Sequence, residues 1–308
     1  MQQEIRIGIC GAGSFGSARA KACAHLDGVR VVLGWSRSSA TRERFGRATH
    51  ARVVPNWQDL CLDAEVDAVV VSTPNLQHVP QAEAALQAGK HVLVETPLSP
   101  TSLLAHRLAD LAQHRGLVLH HGAKSRYHPD HATHIQRLRQ VGRLLYGIEH
   151  AGFDFGPDRA WYGDRALAGG ARAYLPYVML GWMEAFGEVT SACGVESCAD
   201  TWDSASITLL FTAGGYATIS YAMGLGIPEL SVRQVVGSAG MIQADPDGAE
   251  VLLSGDERTL LAPRPVDLVQ CECQAFVDEI RGLRDHRAAL AADLRALELV
   301  DQALGGFR

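Results

Sequence analysis

Apolar residues first appear in short, nearly continuous runs at 5–10 (IRIGIC), 29–35 (VRVVLGW), 68–73 (AVVVST), 91–95 (HVLVE) and 117–121 (LVLHH). Such runs suit strands buried on both faces of a parallel sheet. Between them the spacing turns helical. An alanine-rich stretch fills 14–26, Val79, Ala82 and Leu86 share one side of 78–88, and Leu104, Leu108, Leu111 and Ala112 recur through 101–114. Strands alternating with helices imply βαβ units, and so an α/β, doubly wound parallel sheet over residues 1–122.

Beyond residue 122 the rhythm changes. ASITLLF (205–211), YATISYA (216–222), SVRQVVGS (231–238) and AEVLLS (249–254) follow one another with turn residues between them and no helix-length insert, which reads as an antiparallel sheet. Helical patterns resume at 268–283 and 288–304. The expectation is an α+β domain over 123–308 with a large open, mainly antiparallel sheet.

The first turn carries specific chemistry. Gly11, Ala12, Gly13, Ser14, Phe15 and Gly16 spell G-x-G-x-x-G directly after a predicted strand and at the start of a small-residue helix. Gly11 permits the tight turn, Gly13 lets a pyrophosphate approach the backbone, and Gly16 lets the helix pack against the strand. The helix N-terminus then offers unpaired N–H groups to the phosphates. This is the dinucleotide-binding form of the Rossmann fold. At the end of the second strand, Ser36, Arg37 and Ser38, with Arg42 a turn later, stand where a carboxylate would hold the ribose 2′-OH of NAD. Hydroxyls and guanidinium groups suit a 2′-phosphate, so NADP(H) is favoured over NAD(H).

Composition narrows the functional classes. A net charge of −6 excludes a strongly basic nucleic-acid-binding chain. The charge is uneven: residues 1–122 hold 12 basic against 10 acidic residues, the remainder 16 against 24, so an anionic ligand prefers the first part. No run approaches the roughly 18 apolar residues of a membrane helix, and MQQEIRIGIC enters a strand instead of a leader pattern, so the expected location is cytoplasmic. Seven cysteines at scattered spacings make no zinc pattern, and His131 and His134 lack a third ligand nearby, so no metal is expected. Only Lys21, Lys90 and Lys124 are lysines, which leaves three candidates for any lysine chemistry.

Three further segments sharpen the reading. Asp67 to Asn75 (DAVVVSTPN) with His78, Ala88 to Pro97 (AGKHVLVETP), and Gly122 to Pro129 (GAKSRYHP) resemble consecutive motifs of the Gfo/Idh/MocA (glucose-fructose oxidoreductase / inositol dehydrogenase) family. AWYGDRALAGG (160–170), FVDEIRG and the final LRALELVDQAL extend the likeness over nearly the whole chain. The resemblance implies a Rossmann domain followed by an open-sheet domain, with the nicotinamide in the cleft between them and a homodimer or homotetramer formed through the C-terminal sheet. It places Thr73, Pro74, Asn75, His78, Thr96 and Pro97 along the dinucleotide and Glu95 near the nicotinamide ribose. Arg126 and Trp161 are implied near the nicotinamide or the substrate.

The chain departs from the family at one informative place. The usual Glu-Lys-Pro reads Glu95-Thr96-Pro97, so the lysine that binds the substrate oxygen and assists proton transfer is missing. The helical Asp and His that contact substrate align near Ala173 and at Tyr177. Lys124, after the last strand of the first domain, and Tyr177 are the candidates for the proton-transferring group. Members without the lysine include biliverdin reductases and thiazolinyl imine reductases, and MLGWMEAFGEV is slightly more like the former. The expected function is an NADP(H)-dependent oxidoreductase acting on a small organic substrate, with reduction of an imine or conjugated carbonyl ahead of sugar or polyol dehydrogenation. A non-catalytic dinucleotide sensor is the rival from another class.

Overall fold

The computed structural model describes residues 4–156, 161–227, 230–244, 250–254, 257–261 and 264–305. Ala160 and Ala249, at the edges of two segments quoted above, lie outside this set. The described chain forms two compact units, residues 1–128 with 266–291, and residues 129–265 with 292–308. The division differs from a single cut after residue 122, because a C-terminal segment returns to the first unit.

In that unit six strands lie in one parallel sheet: β1 (Ile5–Cys10), β2 (Val29–Trp35), β3 (Arg52–Val53), β4 (Ala68–Val71), β5 (His91–Glu95) and β6 (Leu119–Gly122). Their order is β3-β2-β1-β4-β5-β6. The order reverses between β1 and β4, the switch point at which doubly wound sheets bind ligands beyond the strands' carboxyl ends. Helices α1 (Ser14–Cys23), α2 (Ser39–Thr49), α3 (Trp57–Leu62), α4 (His78–Gln87) and α5 (Ser102–Arg115) alternate with the strands.

Strand periodicity sorts the core. Ile5, Ile7 and Ile9 alternate onto one face with Val70 and Leu93, where they meet Ala20 and Cys23 of α1. The same cluster contains Cys273, Phe276 and Val277 of α9 (Leu268–Ile280). Burying each large aliphatic side chain contributes roughly 1.5–3 kcal/mol, so α9 is held to this face by its own apolar stripe.

The second unit is built on an eight-stranded sheet. Its strands are β7 (Leu144–Asp154), β8 (Val189–Ala199), β9 (Trp202–Phe211), β10 (Tyr216–Gly224), β11 (Leu230–Gly237), β12 (Gly240–Ala244), β13 (Glu250–Ser254) and β14 (Glu257–Leu261). They lie in the order β14-β13-β12-β11-β7-β10-β9-β8. All pairs are antiparallel except β7 with β10, which run parallel. Helices α6 (His131–Arg139), α7 (Arg165–Ala168) and α8 (Leu175–Phe186) belong to this unit, and α10 (Arg287–Leu304) has residues in both. Trp182 of α8 donates its indole N–H to Glu149 Oε2 at 2.6 Å, and Arg233 grips the same carboxylate at 2.9 and 3.1 Å. A buried carboxylate costs too much without such partners, and here it has three donors. Among the described residues no helix is long and apolar enough to cross a membrane.

Candidate functional site

The glycine turn follows β1 at the switch point. Gly11 has φ +102°, and a β-carbon there would lie 2.4 Å from the Ser72 carbonyl oxygen; at Gly16 it would lie 2.2 Å from the Gly11 oxygen. Both positions therefore exclude a side chain for reasons internal to the fold. Gly13 differs: a β-carbon there meets nothing within 4 Å, and Gly13 caps α1 without any side-chain hydrogen bond. The first N–H groups of α1, from Ser14 to Gly16, thus open onto a cradle that a methyl group would begin to fill, which fits a pyrophosphate.

At the end of β2, Ser38 caps α2 by accepting from the Thr41 N–H at 3.3 Å. Arg42 donates to the carbonyl oxygens of Ser36 and Arg37 at 2.6 and 3.2 Å, so it braces the loop. Arg37 is exposed and Ser36 half-buried. Of the two arginines, Arg37 is the one whose head group the loop does not use.

At the carboxyl ends of β4 and β5, buried polar groups hold two loops together. His78 is fully buried, with its ring nitrogens 2.8 Å from the carbonyl oxygens of Thr73 and Pro97, and burial pushes its pKa down. Thr73 donates its hydroxyl to Gln81 Oε1 at 2.6 Å, and Asn75 is buried beside them. His78 thus ties the Thr73-Pro74-Asn75 turn to the Thr96-Pro97 turn instead of facing solvent.

Thr96, just beyond β5, donates its hydroxyl to the Gly122 carbonyl at 2.9 Å. It is committed to the backbone of β6. Lys21 is exposed on α1, and Lys90 Nζ clips the turn before β4 through the carbonyls of Asp63 and Val66 at 2.9 and 2.6 Å. Lys124 alone lies by the glycine turn, with Nζ 5.3 Å from the centre of the Phe15 ring. Arg126 donates to the Ala289 carbonyl at 3.3 Å.

Beneath these loops runs a charged network that single-sequence reasoning missed. Arg19 of α1 has no exposed side-chain surface; its Nε donates to Glu95 Oε1 at 2.5 Å and its Nη2 to Glu272 of α9. His120 of β6 lies 2.7 Å from Glu279 and 3.9 Å from Glu272, and its ring stacks on Tyr127. Burial alone would lower the His120 pKa, but the Glu272 and Glu279 carboxylates outweigh it and raise it to about 9. His120 and His121 are buried strand residues, and His131 pairs with Glu184 at 2.5 Å.

A pH dependence follows. His120 has a folded pKa raised above its unfolded value near 6.5, so its contribution is complete below pH 6.5 and is lost as pH rises through 9. Stability against thermal unfolding is expected to fall over that window by an amount on the order of 3 kcal/mol. Glu279→Gln should flatten the profile between pH 6.5 and 9. An unchanged slope in that variant would show that another group carries it.

In the second unit, Trp161 stacks on Tyr162 at 3.9 Å, and the ring series continues through Tyr174 to Tyr221. Tyr177 sits half-buried in the first turn of α8. The structure thus gathers the predicted cofactor residues and Lys124 within the first unit and places Trp161 and Tyr177 in the second.

Comparison with known proteins agrees with this geometry. Residues 5–123 match the Gfo/Idh/MocA model, described as an oxidoreductase family with an NAD-binding Rossmann fold. A dTDP-3,4-didehydro-2,6-dideoxy-alpha-D-glucose 3-reductase from Streptomyces antibioticus is 40% identical over 144 residues, 46% of this chain and 44% of that protein. The match thus spans under half the length of that relative. The crystal structure of biliverdin reductase from Synechocystis sp. PCC 6803, in complex with biliverdin and NADP+, superposes with a TM-score of 0.86 at 26% identity, covering 96% of this chain and 97% of that one. A 3-ketoreductase from Actinomadura kijaniata shares the fold at 22% identity with a TM-score of 0.86, covering 98% and 97% of the two chains. With the glycine turn at the switch point and the buried Thr73 to His78 segment in place, residues 5–123 match the NAD-binding Rossmann domain of the Gfo/Idh/MocA oxidoreductase family, and the whole chain shares its fold with the two solved structures.

Proposed function

We propose that the protein is an NADP(H)-dependent oxidoreductase that transfers hydride between the nicotinamide and a small organic substrate, in the direction of reducing an imine or conjugated carbonyl. A bound nicotinamide supplies the hydride. The observation that carries the substrate reading is Thr96: its hydroxyl is spent on the Gly122 carbonyl, so no ammonium stands where the family uses one. An iminium or a conjugated carbonyl demands less from a general acid than a ketone does, because its electrophile is already charged or its developing charge is delocalised. In this reading the open N–H groups of α1 hold the pyrophosphate, and Ser36, Arg37 and Ser38 hold the 2′-phosphate. Lys124 delivers the proton, with Tyr177 as the other candidate, and Arg126 and Trp161 contact the substrate. The Synechocystis biliverdin reductase, solved in complex with biliverdin and NADP+, supports both halves.

The likeness to the Streptomyces antibioticus 3-reductase favours a second reading, reduction of a keto-sugar with a substituted acid. Oxidation of NADPH followed against imines, tetrapyrroles and nucleotide-linked keto-sugars separates the two. Turnover confined to keto-sugars would overturn the first reading, and tight cofactor binding without turnover on any class would favour a sensor.

Cofactor choice has its own test. Arg37→Ala is expected to weaken NADPH about tenfold by calorimetry while changing NADH little, since a charge-assisted contact to the 2′-phosphate is lost. Equal weakening of both would remove Arg37 from the 2′-phosphate.

A further inference from the structure

Arg19 stands in an unusual position for a residue of the dinucleotide helix. Its guanidinium is wholly buried and each nitrogen has a different partner: Nε donates to Glu95, Nη2 to Glu272, and Nη1 points to the Cys273 sulfur at 3.7 Å. One cation needs one carboxylate for neutrality, yet here it serves two. The surplus negative charge is met by His120, which lies between Glu272 and Glu279, and Glu279 in turn has Arg284 at 4.0 Å. Buried charges persist only when paired in this way. The chain of partners runs from α9 through α1 to the end of β5, and of Glu272, Arg19 and Glu95 only Glu95 reaches the surface, with 13% of its side chain exposed.

This asymmetry has a chemical meaning. Nε engages Oε1 of Glu95, and among the described residues Oε2 accepts no hydrogen bond. A glutamate at a strand end ordinarily samples several rotamers, whereas one oxygen locked by a buried guanidinium fixes where the other points.

We propose that Arg19 is a positioning residue: anchored by Glu272, it holds the Glu95 carboxylate so that Oε2 accepts the hydroxyls of the nicotinamide-side ribose. The inference rests on the dinucleotide reading above and adds to it a role for α9, whose Glu272 sets Arg19. Arg19 does not touch the cofactor; it acts through Glu95.

A double-mutant cycle tests this, with NADPH affinity from calorimetry and thermal midpoints measured for the wild-type chain, E95Q, R19M and the double variant. Expected are about tenfold weaker binding in each single variant and no further loss in the double, while the midpoint drops whenever Arg19 is changed. A merely structural Arg19 would lower the midpoint without this non-additivity. R19K serves if R19M fails to fold, because its single ammonium keeps a buried cation yet reaches one carboxylate at a time; the same loss, absent in the E95Q background, is expected. Affinity losses that multiply in the double variant, or an R19K that binds NADPH as the wild type does, would overturn the proposal. An E95Q variant binding NADPH like the wild type would overturn it too while leaving the dinucleotide reading standing, whereas a wild-type chain that binds neither NADPH nor NADH would bring down the reading itself.

Discussion

Gly13→Ala is expected to fold as the wild type does and to lose NADPH binding by about a hundredfold or more. The backbone at Gly13 has φ −74°, which alanine adopts freely, and its added β-carbon would meet no protein atom within 4 Å. The fold therefore has no use for glycine at this position. What the methyl group would meet is a phosphate oxygen brought within hydrogen-bonding distance of the first N–H groups of α1, and even an ångström of displacement weakens several such contacts together. Gly11→Ala and Gly16→Ala make the contrast, because their β-carbons would strike backbone oxygens at 2.4 and 2.2 Å and should unfold the first unit. Calorimetry with NADPH, beside thermal unfolding of all three variants, separates a binding defect from a folding defect. A Gly13→Ala chain that binds NADPH normally would remove the turn from the phosphate site.

The same comparison marks what was legible in the sequence. The glycine turn and the short apolar strands are local signals, readable because the residues that explain one another are neighbours, whereas the Thr73 to His78 segment is legible only through the family resemblance. Arg19 was not. In an alanine-rich helix it reads as a surface residue, and its two carboxylate partners lie 76 and 253 positions away. Helix α9 had the same difficulty, since the stripe formed by Cys273, Phe276 and Val277 declares that it is buried but not against which sheet. Strand β7 was missed because Glu149 and His150 interrupt its pattern; Glu149 is acceptable there only because Arg233 and Trp182 reach it from elsewhere in the chain. The parallel pairing of β7 with β10 was equally hidden, because alternation reveals a strand but not the direction of its partner.

Lys124→Ala should reduce turnover on an accepted substrate by a factor of about 10²–10⁴, the range typical of a lost general acid, while NADPH affinity stays within about threefold. The fold should survive, because the contact forgone is a half-buried cation over the Phe15 ring at 5.3 Å, worth roughly 0.5–1 kcal/mol. Elimination points to this lysine: Lys90 is consumed by two carbonyl oxygens, Lys21 lies exposed on α1, and Thr96 brings no charge to the end of β5. Strands β5 and β6 are neighbours with Glu95 opposite Gly122, so Lys124 leaves β6 two residues beyond the partner of Glu95. Lys124→Arg then divides the two roles that an ammonium can play. Guanidinium keeps the positive charge but does not release a proton near neutral pH, so an acid role predicts that Lys124→Arg is as slow as Lys124→Ala, whereas pure charge stabilisation predicts substantial recovery. Steady-state rates at saturating NADPH, with affinity measured separately, decide between them, and full turnover in Lys124→Ala would pass the proton to another group, Tyr177 being the next to substitute.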